Sequence, residues 1–414
     1  MDARTCLLSM VFVVACSSSS TPGSGPRDAA ARDSALAQDG ASPQDSAAAP
    51  DGALAQDSGS DVGSADGAVS PPSDAGGDSS LPGGLRTKWY PGHYQTIKSK
   101  AYSGGVANWT KPKFQTAIAH RNMKGYLLYI NWRELETARE VYDFSQIESI
   151  LGALPAGKKF QIKIQDRSFH NEAGGNMPDY VTTEGCTFPM PNQKTPDPDD
   201  VKGLALKWWV PGCLDHFIRL YVKLGERYDS DARVAAITVG DGESCLEGSP
   251  LIAGFTDEGY NNQMIRAVRE VKAAFPTTLV APGFNCFAAG EAARVAAALE
   301  QIGGTAFMHP DTVPGVYFGK NGSATLTEIE YHGRVPTIPQ FQQTQIDDGP
   351  GSEEQQIWDW AIGTIKVSMA SWGDGASYTT DYIGERVLPF LDTNPTFPAG
   401  NVACPSSAGT CIAP

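Results

Sequence analysis

From Arg86 onward, apolar runs bounded by turn residues recur eight times, and between most of them the apolar positions switch to a three-to-four-residue period. The runs are Lys88–Tyr94, Gly125–Trp132, Lys159–Gln165, Val234–Val239, Thr278–Phe284, Thr305–His309, Thr337–Phe341 and Val367–Trp372. The helical periods fall at Phe144–Leu154, Leu214–Tyr228, Tyr260–Phe275, Glu291–Ile302, Glu353–Ile365 and Tyr382–Leu391. In the second of these, Phe217, Leu220, Tyr221 and Leu224 share one face, and in the third Met264, Val268 and Val271 do. Strand–helix alternation predicts an α/β domain with a parallel sheet covered by helices. Eight repeats predict that the sheet closes into a (β/α)8 TIM barrel over residues 86–414. The alternative is an open doubly wound sheet, but no glycine-rich phosphate turn follows the first strand, which argues against its nucleotide-binding form.

The pattern stops abruptly on the N-terminal side. Residues 16–85 are built from Ala, Ser, Asp, Gly and Pro with no aromatic side chain. Asp33, Asp39, Asp45, Asp51 and Asp57 recur at a fixed interval, and Ala35–Asp39 is repeated at Ala53–Asp57. Such a segment buries too little apolar surface to offset its chain entropy, so a disordered, charge-extended low-complexity tether is expected. The spacing lacks the glycine turns of repeat calcium loops. Ahead of it, Arg4 precedes the apolar stretch Leu7–Ala15, which is too short to span a bilayer and reads as a signal peptide over residues 1–15. Val13-Val14-Ala15-Cys16 resembles the bacterial lipobox, which implies lipidation of Cys16 and membrane attachment through that anchor. Ser17 stands where an acidic residue would retain a lipoprotein at the inner membrane, so outer-membrane or cell-surface localisation is expected.

Export fits the cysteines. Besides Cys6 and Cys16, six remain: Cys186, Cys213, Cys245, Cys286, Cys404 and Cys411, an even number suited to disulfides in an oxidising compartment. Cys245 and Cys286 follow neighbouring strands, Cys186 and Cys213 bracket a Pro-rich loop, and Cys404 and Cys411 close a short C-terminal loop; these are the expected pairs. No cluster has zinc spacing, and no metal or cofactor is expected. The net charge of −15 repels phosphate backbones, which excludes nucleic acid as a partner.

Barrel enzymes place their chemistry at the C-terminal strand ends. Those ends supply His93 and Tyr94; Trp132, Arg133 and Glu134; Gln165, Asp166, Arg167 and His170; Asp241, Glu243 and Ser244; Asn285; His309 and Asp311; Gln340, Gln342 and Gln343; and Trp372 and Asp374. Carboxylates and amides bind hydroxyls and indole faces pack on pyranose rings, so this rim suits a carbohydrate. The expected substrate-binding set is His93, Trp132, Asp166, Asn285, His309, Gln340, Gln342 and Trp372. Ser244 lacks a nucleophile elbow, and Glu328 and Glu330 read as solvated.

Trp132-Arg-Glu-Leu-Glu136, followed by Val141-Tyr-Asp-Phe144 and Ile147, resembles the W-x-x-L-E-x-x-x-G-x-Y-D-F-x-x-I pattern of glycoside hydrolase clan A, notably family 42 and family 5 type enzymes. Glu140 occupies the pattern's glycine position. The stretch from Arg227 to Ile237 resembles the helix end and fourth strand of that clan, and the resemblance implies that Glu243 is the acid/base, with Asp241 beside it, and Trp372 a sugar platform. A glycosidase needs a second carboxylate, which the clan places at the end of strand seven. Thr337–Gln345 contains none. Either another carboxylate serves (Asp166, Asp311, Asp347 or Asp374), or the strand register differs, or the barrel binds glycan without cleaving it.

Overall fold

The alternation of inward and outward residues along eight short parallel strands sets the architecture. The computed structural model describes residues 84–99, 108–168, 176–191, 201–240, 252–285, 287–288, 290–312, 314–315, 317–318, 320–341, 352–373 and 381–412. The expected signal segment, Cys16 and nearly all of the expected tether lie outside them, as do Asp241, Glu243, Cys245, Cys286 and Gln342.

The strands are β1 Gly92–Lys98, β2 Met123–Asn131, β3 Lys159–Gln165, β4 Val234–Val239, β5 Leu279–Pro282, β6 Phe307–Thr312, β7 Thr337–Phe341 and β8 Met369–Trp372. They pair in the order β5-β4-β3-β2-β1-β8-β7-β6. Parallel bridges Val280↔Thr305 and Gly283↔Met308 join the two ends, and the Ala306 amide donates to Val280 O at 2.9 Å. The ring therefore closes, and the open-sheet alternative falls. Helices follow each strand in turn: α1 Pro112–Ala119, α2 Ser145–Ala153, α3 Pro211–Tyr228, α4 Asp257–Ala274, α5 Glu291–Ile302, α6 Ser323–Glu330, α7 Ser352–Gly363 and α8 Leu388–Thr393. No helix among the described residues is long and apolar enough to cross a membrane.

Two cores result. Tyr94, Leu127, Ala236, Leu279, Ala306, Met308, Ile338 and Met369 fill the lumen. A larger layer packs outward-facing strand residues such as Ile130, Ile162, Ile237 and Phe307 against helix stripes such as Leu214, Phe217, Tyr221 and Leu224 of α3.

The first strand differs from the expected Lys88–Tyr94. Pro91 and Gly92 break that run; Pro has no amide for a ladder, and Gly92 has φ 146°. Arg86–Lys88 instead pairs in parallel with Thr410–Ile412, and Trp89 plugs the N-terminal end of the lumen with its Nε1 donating to Val402 O at 2.8 Å. His93 and Tyr94 thus sit at the start of β1, not at the rim. Cys186–Cys213 and Cys404–Cys411 form the expected disulfides. The first of them braces a hairpin, Thr187–Pro191 with Val201–Leu206, in the loop after β3.

Candidate functional site

The lumen changes character toward its C-terminal end. Lys163 of β3, only 1% exposed, donates through Nζ to Tyr129 Oη of β2 at 2.9 Å and to Gln340 Oε1 of β7 at 3.3 Å. Gln161 Nε2 reaches Met369 Sδ of β8 at 3.5 Å. The contacts to Gln340 and Met369 join strands that are not neighbours, so these side chains cross the lumen. Gln165, Thr96 and Ser371 have the same inward parity as Lys163, Tyr94 and Met369 and lie nearer the strand ends. Above an apolar plug, the barrel thus presents an ammonium, a phenol, amides and hydroxyls. Lys163 and Tyr129 were not singled out from sequence. Their signal was the alternation Gln161, Lys163, Gln165 within an otherwise apolar strand, which marks the inward face.

The expected residues divide between the lumen, the rim and the outer layer. Gln340 faces the lumen, as described. Asp166 is fully buried just past β3; it accepts from Trp208 Nε1 at 2.5 Å. Gly240, at the end of β4, lies beside it: φ is 70°, and a Cβ there would fall 2.6 Å from Trp208 Cζ2 and 3.5 Å from Asp166 Oδ1. Only glycine fits that juncture, which seats Asp166 next to the chain leaving β4. Asn285 is buried just beyond β5.

Four expected residues stand elsewhere. Trp372 is 1% exposed and faces the helical layer, edge-on to Phe341 and tilted against Phe390, so no indole face is open to a sugar. Its Nε1 donates to His93 Nδ1 at 3.1 Å. His93 is equally buried, and desolvation holds its pKa down to about 3, so it stays neutral and accepts. Trp132 is fully buried against Phe217 at 4.7 Å between ring centroids. His309 points outward from β6 and shares a 2.5 Å hydrogen bond with Glu328 of α6, both of them fully buried. Glu328 is therefore not solvated as expected, whereas Glu330 is exposed. Strand parity explains the displacement of all four residues: each lies on the outward face of its strand or just past its end.

The clan-like motif after β2 is architectural. Glu136, 1% exposed, accepts from Trp132 Nε1 at 2.7 Å, Tyr180 Oη at 2.9 Å and the Glu140 amide at 2.7 Å. These bonds fold Glu136–Ala138 and Val141–Tyr142 into a tight hairpin whose turn places Glu140 at φ 57°. That is the position where the pattern carries glycine, and the left-handed backbone is the reason. Glu140 pairs with Arg219 at 3.3 Å on the surface, a contact worth little. Glu140→Gly is accordingly expected to raise stability by about 0.5–1 kcal/mol in urea denaturation; a lowered midpoint would contradict the strain.

No protein-family model matches the chain, and no curated protein matches it. Among solved structures it is similar to endo-glycoceramidase II from Rhodococcus sp., at 14% identity and TM-score 0.45 over 69% of this chain and 75% of that one. It is similar to the catalytic domain of β-amylase from Paenibacillus polymyxa, at 10% identity and TM-score 0.46 over 75% and 96%. A third is β-galactosidase from the psychrophilic Marinomonas ef1, at 10% identity and TM-score 0.45 over 68% and 53%. The (β/α)8 assignment itself follows from the closed strand order.

Proposed function

We propose that this chain is a cell-surface glycoside hydrolase-like protein, anchored through lipidated Cys16, that acts on a poly- or oligosaccharide with Glu243 as general acid and Asp241 beside it. The observation that carries the reading is the juncture at β4. Gly240 ends that strand against a buried carboxylate, Asp166, and Glu243 follows three residues later in the chain. A carboxylic acid near a partly dry barrel mouth keeps its proton longer, as protonation of a leaving oxygen requires. The clan-like hairpin motif after β2 supports the same reading.

A second reading has its own support. β7 spans Thr337–Phe341 as expected, so a shifted register does not rescue a strand-seven carboxylate, and its inward-facing end residue is Gln340, engaged by Lys163. An amide cannot serve as an ionised nucleophile. A barrel that binds glycan without cleaving it accounts for this, as does an inverting enzyme whose base, Asp166 among the candidates, activates water.

Hydrolysis of a panel of polysaccharides and aryl glycosides by wild type and Glu243→Gln separates the two. The enzyme reading expects turnover that falls at least about a hundredfold in Glu243→Gln. Glycan binding with no turnover in wild type establishes the second reading. Full rate in the variant removes Glu243 from the chemistry.

A further inference from the structure

The upper lumen holds more hydrogen-bonding capacity than the barrel satisfies. Gln165 is fully buried at the end of β3, and neither its amide nitrogen nor its oxygen has a partner. Ser371 Oγ of β8 and Thr96 Oγ1 of β1 are also unpartnered, in residues 0% and 4% exposed. Each has the inward parity of a lumen side chain two residues earlier on its strand, namely Lys163, Met369 and Tyr94. Strands β8, β1, β2 and β3 are consecutive in the ring, so the three residues line one arc of its wall. A buried amide or hydroxyl left unmet costs free energy, so three of them on one arc mark a place built for a ligand with donors and acceptors of its own.

All of this unmet capacity is uncharged. Lys163 and Asp166 flank Gln165 in the chain with opposite charges, and both are engaged. Lys163 Nζ donates to Tyr129 Oη and Gln340 Oε1, and Asp166 accepts from Trp208 Nε1. A charged ligand group would give up its hydration for neutral partners here, whereas a hydroxyl is matched by them. Gln165 adds a spacing requirement. A carboxamide presents a donor and an acceptor side by side, and two adjacent hydroxyls on a ring can present an acceptor and a donor to match.

We infer that the upper lumen is a subsite for an uncharged sugar ring, in which Gln165 grips two adjacent hydroxyls while Ser371 and Thr96 meet others on the same ring. Gln165 is the residue that sets specificity. A ring lacking either hydroxyl leaves half of a buried amide unmet, and a site built to bond a hydroxyl rejects the analogue without it. The inference rests on the glycan reading above and narrows its substrate to neutral sugars.

The test is calorimetric titration of the full-length protein with cellotetraose, mannotetraose, xylotetraose and a galacturonic acid trisaccharide, with urea denaturation of each ligand-free variant alongside. Wild type is expected to bind at least one neutral oligosaccharide about tenfold or more tighter than the acidic one. Gln165→Leu should weaken that binding by about tenfold or more. It also removes a buried amide that the fold does not meet, so the urea midpoint should stay or rise. A glutamine with a structural role alone would show the reverse, a lowered midpoint at unchanged affinity. Affinity within about twofold of wild type in Gln165→Leu, or a lowered midpoint, overturns the inference and leaves the glycan reading intact. Tighter binding of the acidic trisaccharide than of every neutral oligosaccharide does the same. No binding of any of the four overturns both. Should Gln165→Leu fail to fold, Ser371→Ala and Thr96→Val decide by the same readouts, with an affinity loss of about threefold or more expected in each.

Discussion

Trp132→Ala is expected to lower the unfolding free energy by about 3–5 kcal/mol, the range for deleting a buried aromatic side chain. The indole is fully buried, packs on Phe217 of α3 and donates to Glu136. Truncation opens a cavity between β2 and α3 and removes one of the donors that hold Glu136, a carboxylate kept out of water by them. Trp132→Phe keeps most of the volume and loses the hydrogen bond alone, so a cost of about 1–2 kcal/mol is expected. Urea denaturation of the two variants measures both. A sugar platform behaves otherwise: its loss weakens glycan affinity at unchanged stability. Trp132→Ala with a wild-type midpoint and weakened binding would return Trp132 to the substrate.

His309→Leu is expected to cost about 3–5 kcal/mol at pH 8, because it strands Glu328 in a fully buried site without its partner. Burial holds the Glu328 carboxyl above its ordinary range, while His309 opposes that shift. Without the imidazole the carboxyl is pushed further up, and the folded state keeps a proton that the unfolded chain releases. A folded state that binds more protons loses stability as pH rises from the ordinary carboxylate pKa toward the raised one. The deficit should therefore be smaller at pH 5 than at pH 8. The double variant His309→Leu, Glu328→Leu should recover most of the loss, since replacing both partners of a buried hydrogen-bonded pair by apolar side chains is close to neutral. Midpoints at the two pH values for the single and double variants test this. A single variant within about 1 kcal/mol of wild type at both would show that the pair holds no buried charge. A direct role of His309 on substrate would appear as lost turnover at unchanged stability.

These two positions show why the candidate site was only partly legible in the sequence. Trp132, His309, Trp372 and His93 are residue types that catalytic rims use, and each lies on or beside an apolar run. What decides their role is the face they occupy. A shift of one residue in parity moves a side chain from the lumen to the helical layer, and an apolar run buried on both faces carries little parity signal. At β1 the run extended across Pro91, and the misplaced strand carried His93 and Tyr94 to the wrong end. Lys163 was passed over for the opposite reason: a lysine two residues inside a strand end looks solvated until the ring closes over it.

Helices α1 and α6 escaped the periodicity for lack of length, each being eight residues. Two turns give barely one apolar repeat to count. The hairpin after β3 sits within the Cys186–Cys213 loop, where proline obscures strand patterning. By contrast, β3, β4 and β7 begin and end where the apolar runs do. Their C-terminal flanks change abruptly to Asp166, Gly240 and Gln342, so local composition was enough.

The sequence by itself determined the order and number of strands, most of the helices between them, and two of the disulfide pairings, because these depend on local periodicity and on which segments the chain order makes neighbours. Only the tertiary structure decided which side chains meet. Closing the ring sets inward from outward at every position, and that one geometric act joined Lys163 to Gln340 across the lumen while turning Trp372 and His309 into packing for the helices.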